Sequence, residues 1–350
     1  MSTSSLSISA VSTTREALVT LETFLSKQLD YRHIILFSSD TAAFGAAFSL
    51  LAEPCDVFTS ANAHITLFDA LASEKKKALY YDLRLDGTVE TRLLERTRSE
   101  QTRIFVATHN HGVHSDLKTI AAFCKAHDLL LIEDASQLLY TREKGAADIA
   151  LYTLEALIPA TLARGAFLAT DDPEIAQKLK VYAAGGVIAT KLWNYDVINK
   201  RDEQTLAPLI AHHALRATET LQTDLQQIKT IQRRYLEALS SNRLITLPKE
   251  KDLTPYPRFP IFLTPALFCP KEDIYQALID AGVPVAVGNK PIYKTTAFQD
   301  ETLSLFGAEE LFKSQLLLPA HASMTENDVD HVIKTLQTVL ETYGYRGCSF

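Results

Sequence analysis

The 350-residue chain is poor in glycine, with only 12 in all. That is roughly half the average usage of about 7%. Loops that press backbone against phosphate usually need glycine, so few of that kind are available here. The four cysteines, Cys55, Cys124, Cys269 and Cys348, lack paired spacing, which argues against a zinc ribbon or a disulfide framework. No metal site is expected. Positive charge is not in excess either: 35 Lys and Arg against 42 Asp and Glu give a formal net charge of -7. A surface that coats nucleic acid is therefore not expected, although a local basic pocket is compatible with this balance. No apolar run approaches the length that spans a bilayer. The start, MSTSSLSISAVSTT, has no basic segment and no apolar core, so it does not resemble a secretory signal and is expected to fray. A cytoplasmic protein without membrane or nucleic-acid partners is the expectation.

Hydrophobic residues make up 47% and charged residues 22%, enough for a soluble globular fold with a sizeable core and two domains. The first half alternates apolar runs with segments of helical spacing. HIILF (33–37), CDVFTS (55–60), ALYYDL (78–83), RIFVAT (103–108) and LLLIED (129–134) are separated by TAAFGAAFSLLA, ANAHITLFDALA, VETRLLERTR and LKTIAAFCKAHD. This alternation predicts a parallel sheet with crossover helices, an α/β fold. Two closer strands around IALYTL and GAFLAT follow, then a helix from Pro173 to Tyr182. Thr205 to Leu239 holds no glycine and predicts one long helix. FPIFLT, KEDIYQALIDAG, VPVAVG and NDVDHVIKTLQTVLETYG predict a smaller α+β unit. The expected domains are 1–240 and 241–350.

Several segments can carry chemistry. HIILFSSDTAAF is a strand, a polar turn and a helix start, where backbone N–H groups can hold an anion; Ser39 or Asp40 capping the helix is the plainer expectation. LLLIEDASQ puts Glu133 and Asp134 at a strand's carboxyl end, where ligands of open α/β sheets collect. A carboxylate there can pair with a protonated ring nitrogen. Asp134 is favoured because the Gln137 amide can return to the same ligand, whereas Glu133 reads as a solvated strand end. HNHGVH supplies His109, His111 and His114, but the spacing suits no metal geometry, so these, like His212 and His213, are expected on the surface. ASEKKKA reads as a solvated helix end.

Taken together, these segments resemble the DegT/StrS sugar-nucleotide aminotransferases, which depend on pyridoxal phosphate and have the fold-type-I architecture. SSDTAAF resembles the family's SSGTAAL, ATHNHG its PVHLYG, LLLIEDASQ its YVIEDAAQ, and ADIALYTLEALI its GDIGVFSFHPSK. ARGAFLATDDPEIAQKL resembles GEGGAVVTNDEELAEKL, and LLLPAHASMTENDVDHVIKTL resembles LSLPLHPELTDEDVDYVI. The resemblance covers most of the chain and implies a mostly parallel central sheet with a small C-terminal domain. By position it implies Asp134 for the pyridine-nitrogen carboxylate and Gln137 for the glutamine beside the ring hydroxyl. Thr153 falls on the phosphate-binding serine, Thr41 on the phosphate-turn threonine, and His64 on the aromatic that stacks on the ring. It also implies a homodimer and a nucleotide-sugar ligand.

The departures bear on chemistry. Ile158 occupies the lysine position, and no lysine lies between Lys144 and Lys178. An alkyl side chain forms no imine and moves no proton. Asp40 replaces the phosphate-turn glycine, Arg164 falls in the family's Gly-Glu-Gly-Gly run, and Asn199 and Arg201 match its G-x-N-x-R motif loosely. Three expectations follow. The first is a homologue without transaminase turnover, in a ligand-binding, scaffolding or regulatory role. The second is an enzyme on nucleotide keto-sugars that holds pyridoxamine or pyridoxal phosphate noncovalently, dehydratase-like or aminotransferase, with His64 or His111 as base. The third draws a lysine from elsewhere, such as Lys144 or a partner chain.

Overall fold

The structure is a computed structural model that describes residues 15–138, 145–155, 157, 164–190, 194–267 and 269–346. Ile158, Lys144, Cys348 and the Ser/Thr-rich start lie outside the described residues. Seven strands form the main sheet: β1 (His33–Phe37), β2 (Asp56–Ser60), β3 (Lys77–Tyr81), β4 (Thr102–Thr108), β5 (Leu130–Asp134), β6 (Ile149–Thr153) and β7 (Ala166–Thr170). Their order is β1-β7-β6-β5-β4-β2-β3. Only β7 runs antiparallel to its neighbours. The α/β expectation therefore holds, with IALYTL and GAFLAT as the antiparallel pair β6–β7. The carboxyl ends of β1, β2, β4, β5 and β6 open together at one end of the sheet, where ligands of such sheets bind.

Helices cover both faces: α1 (Arg15–Leu29), α2 (Asp40–Phe48), α3 (Ile65–Ser73), α4 (Leu94–Thr97), α5 (Leu117–Ala126) and α6 (Pro173–Ala183). Successive side chains of a strand point to opposite faces. Thus Ile35 and Phe37 pack with the buried residues of α2, α3 and α6, while Ile34 and Leu36 pack with Leu21, Leu25 and Ala211. In α2 every residue from Ala42 to Phe48 is buried. Its small side chains let α6 approach, and a Cβ on Gly45 would meet the Tyr182 hydroxyl at 2.6 Å. That contact explains a glycine inside a helix, where it costs about 0.5–1 kcal/mol.

The single helix expected from Thr205 to Leu239 is two helices, α7 (Pro208–Ala217) and α8 (Leu221–Leu239). The break has a local cause. The Thr218 hydroxyl donates to the Leu215 carbonyl at 2.6 Å, and that of Thr220 donates to the Asp224 carboxylate at 2.9 Å. Such side chains compete with the backbone for partners. The expected helix in VETRLLERTR shrinks to a 3₁₀ turn, Thr91–Leu93, and the four residues of α4. ASEKKKA is the turn between α3 and β3, with Lys75 at φ 54° and the Lys76 ammonium donating to the Leu51 and Glu53 carbonyls.

A hairpin, β8 (Val187–Ala189) and β9 (Tyr195–Val197), precedes α7. The C-terminal part forms an antiparallel sheet from β10 (Ile245–Thr246), β11 (Arg258–Leu263), β12 (Ala286–Val287) and β13 (Gln315–Pro319), in order β10-β11-β13-β12. With α9 (Lys271–Asp280), α10 (Phe306–Ser314) and α11 (Glu326–Arg346), it packs on the apolar face of α8 through Ile231, Tyr235 and Leu239. The start of α10 is held by the main sheet, because the Asp82 carboxylate accepts from the Gly307 and Ala308 N–H groups at 3.1 and 2.9 Å. Asn62 and Asn289 donate their side-chain amides to each other's carbonyls at 2.9 and 3.0 Å. These bonds hold the C-terminal part against the β2–α3 turn. Among the described residues no helix is long and apolar enough to cross a membrane.

Candidate ligand site at the strand ends

The floor of the site lies at the ends of β4 and β5. Glu133 and Asp134 are both buried there, with 1% and 5% exposure, so Glu133 is not the solvated strand end expected of it. Its carboxylate meets His109 Nε2 at 2.9 Å. His109 Nδ1 accepts the Ser115 N–H at 3.1 Å, so Nε2 carries the proton and donates it to Glu133. The pairing requires two strand ends 24 residues apart, which no local pattern announces. His109 and His111 are likewise buried rather than on the surface. His111 adopts φ 51°, and the next residue, Gly112, has φ 81° and a Cβ position 2.9 Å from Tyr256 Cβ. Only glycine fits both the dihedral and the space. Burial, with Arg258 adding to it, pulls the His111 imidazole down to about 4, so it is neutral at pH 7.

Asp134 accepts the Ser136 N–H at 3.1 Å. Burial raises its pKa, the Ser136 hydrogen bond opposes that, and Asp40 adds to the rise. The Gln137 side-chain carbonyl accepts the His111 N–H at 2.6 Å, which orients the amide and leaves its NH2 as the donating end. Asp134 and Gln137 thus come together on one turn beside His111. Tyr256, in the segment leading into β11, closes this side. Its hydroxyl pKa is raised by burial and then by Glu155, with Asp134 contributing and Arg258 opposing.

The rim is formed by the first turn of α2, the start of α3 and the residues after β6. Ser39 is the N-cap of α2 and accepts the Ala42 N–H at 3.1 Å, as the capping expectation holds. The Asp40 carboxylate accepts the Thr41 N–H at 3.1 Å, so the backbone donor of Thr41 points at a neighbouring side chain. The other oxygen of Asp40 lies 3.9 Å from His64 Nδ1, on a His64 side chain that is 50% exposed. His64 also contacts the Thr66 hydroxyl at 3.0 Å. The Thr153 hydroxyl donates to the Ser136 carbonyl at 3.0 Å.

Glu155, which the motif comparison passed over, belongs to this rim. Its pKa is raised by desolvation and then by Asp40, and lowered by His64 and Arg164. The signal was present in TLEALI, where Glu155 aligns with the histidine of SFHPSK. Arg164 therefore acts on Glu155, and Arg201 is spent elsewhere, at 2.9 Å from the Glu74 carboxylate and 4.0 Å over the Tyr182 ring. Among the described residues, no group of three His, Cys, Asp or Glu side chains has the geometry to hold a metal ion.

These residues answer in two ways to the pyridoxal phosphate that the resemblance implies. At the floor, a buried carboxylate beside an oriented amide suits a pyridinium N–H and a ring hydroxyl. At the rim, the groups among the described residues do not fit a phosphate. The Thr41 and Ala42 N–H groups and the Thr153 hydroxyl already donate to protein oxygens, and Asp40 and Glu155 bring negative charge to that end.

A profile of the DegT/DnrJ/EryC1/StrS aminotransferase family matches residues 5–337. One curated relative is a UDP-4-amino-4,6-dideoxy-N-acetyl-beta-L-altrosamine transaminase of Campylobacter jejuni, 25% identical over 341 residues, covering 93% of this chain and 91% of the relative. Among solved structures, Helicobacter pylori PseC, an aminotransferase of pseudoaminic acid biosynthesis, superposes with a TM-score of 0.87 at 22% identity, covering 93% of this chain and 92% of PseC. NtdA of Bacillus subtilis, solved with bound cofactor PMP, gives 0.81 at 24% identity, covering 93% of this chain and 77% of NtdA. These two likenesses carry the fold, and the profile match carries the family: the chain belongs to the DegT/DnrJ/EryC1/StrS aminotransferase family.

Proposed function

We propose that this chain binds a nucleotide-activated sugar at the open strand ends and does not carry out lysine-dependent amino transfer. The observation that carries this reading is that no lysine lies between Lys144 and Lys178, the stretch in which the resemblance sets Ile158 against the family's lysine. Among the described residues, the positive groups that act on Asp134, Glu155, Tyr256 and His111 are His64, His109, Arg164 and Arg258. The ligand class comes from the Campylobacter jejuni relative, whose name is that of a UDP-sugar transaminase. In the cleft, neutral His111 and the Tyr256 hydroxyl offer hydrogen bonds to sugar hydroxyls, and the Gln137 NH2 offers a donor near the Asp134 carboxylate. A homodimer is part of the proposal. Tyr195, Val197 and Ile198, exposed by 69%, 50% and 51% on and beside the β8–β9 hairpin, are the apolar surface that a second copy would cover.

A second reading, an enzyme that holds pyridoxamine phosphate noncovalently and acts on nucleotide keto-sugars, is favoured by the buried Asp134 with Gln137 beside it. Membership in a family of aminotransferases also favours it. One experiment separates the two. The purified protein is titrated with UDP-linked amino- and keto-sugars by calorimetry, and then assayed for amino transfer with glutamate and added pyridoxamine phosphate. Saturable sugar-nucleotide binding without turnover is the expected result. Turnover above the protein-free blank would establish the second reading in its place.

A further inference from the structure

We infer that Asp40 is a resident anion at the start of α2, and that it turns this end of the site against phosphate. The inference goes beyond the proposed function, because it holds whichever ligand occupies the sugar side. Helix α2 is nine residues long, and Asp40 in its first turn lies close enough to Asp134 and Glu155 to act on both carboxylates. The N-terminus of a helix carries a partial positive charge and unpaired N–H donors, which together attract anions. Here the chain supplies its own. The Asp40 carboxylate takes the Thr41 N–H at 3.1 Å, and Ser39 takes the Ala42 N–H at 3.1 Å. The next donor, the Ala43 N–H, closes on the Ser39 carbonyl at 3.1 Å. Across the cleft the Thr153 hydroxyl donates to Ser136 at 3.0 Å.

A phosphate docking here would have to displace Asp40 from Thr41 and Ser39 from Ala42, then sit beside the displaced carboxylate and Glu155. The helix dipole that would reward it is already offset by Asp40. His64, 3.9 Å from Asp40, shares its Nδ1 with Thr66. The glycine of the family's SSGTAAL has no side chain to do any of this, so one substitution converts an anion acceptor into a self-capped turn. Asp40 is thus a specificity-determining residue, and the site takes an unphosphorylated group at this end.

The test compares pyridoxamine, pyridoxamine phosphate and inorganic phosphate by calorimetry on the full-length protein, on Asp40→Gly and on Asp40→Asn. The asparagine variant keeps an oxygen for the Thr41 N–H and removes the charge, so it reports even where glycine lowers stability. The wild type is expected to bind pyridoxamine at least as well as pyridoxamine phosphate and to show no saturable phosphate site. Both variants should gain affinity for the two phosphates, by roughly tenfold or more for Asp40→Gly and by less for Asp40→Asn. A wild type that prefers pyridoxamine phosphate, or variants that gain no phosphate affinity, would overturn the inference. Amino transfer by the wild type bears on the proposed function alone.

Discussion

The floor and the rim of the site are made differently. At the floor, His109, Glu133 and Asp134 are buried; His109 bonds Glu133 and the Ser115 N–H, and Asp134 accepts the Ser136 N–H. At the rim, His64, Glu155 and Arg164 are exposed and Asp40 is half-buried. By the family resemblance, Asp134 and Gln137 at the floor match its pattern, while the rim keeps Thr41 and Thr153 but carries Asp40 where the pattern has glycine. Stability accounts for the contrast. A buried polar group is part of the core's hydrogen bonding and is costly to replace, whereas an exposed side chain can change within about 0.5 kcal/mol. Chemistry at the rim can therefore be rewritten while the fold stands. Fold alone therefore does not settle activity, which rests on the groups at the site.

The comparison breaks if the floor proves as tolerant as the rim. The largest effect is expected from His109→Ala, which removes the buried imidazole donor to the Glu133 carboxylate. Breaking a buried pair in this way costs about 3–5 kcal/mol. Urea denaturation measures it, and a loss below about 1 kcal/mol would place the pair outside the structural core. His111 comes next. Its imidazole titrates near 4 in the fold against an ordinary value of 6.5, so between these values the unfolded chain binds more protons and stability falls as the pH drops. Integrated over that window, the loss is roughly 3 kcal/mol. His111→Asn, which tolerates φ 51°, should abolish it. Urea midpoints at pH 7 and pH 4 test this, and an unchanged acid slope would show that His111 is not the group responsible.

Asp134 sharpens the comparison with a smaller effect of opposite sign. Its folded pKa is raised, so the native state binds more protons above the ordinary carboxylate pKa, and stability declines as the pH rises through that window. Asp134→Asn keeps an acceptor for the Ser136 N–H and removes the buried charge. The variant should be more stable than the wild type at pH 7, with a smaller gain at pH 4. A loss of stability at pH 7 would mean that the carboxylate is held by the fold rather than kept for a ligand.

Much of the fold was legible because strands and helices announce themselves by period. HIILF, RIFVAT and LLLIED became β1, β4 and β5, and the acceptor at Ser39 marked the start of α2. The break between α7 and α8 was not legible, because threonines 218 and 220 act through particular hydroxyl bonds rather than through propensity. At the site, Asp134, Gln137, Thr153, Thr41, Asp40 and His64 were named by position in the sequence, and they lie near the strand ends. Their partners were not found. The Glu133–His109 bond, the influence of Arg258 on His111 and the approach of Tyr256 to Gly112 are tertiary contacts between segments distant in sequence. Burial alone turned two apparently surface histidines into core ones. Ile158 was legible only as a residue type, since its place lies outside the described residues.

The central claim, that this family member forms no aldimine through a lysine of its own, is met most directly by borohydride trapping. The protein is incubated with excess pyridoxal phosphate, scanned for the absorbance of a protein-bound aldimine, reduced and digested. Mass spectrometry of the peptides should then find no pyridoxyl-lysine above that of an unfolded control, whereas one stoichiometric pyridoxyl-lysine peptide would contradict the account.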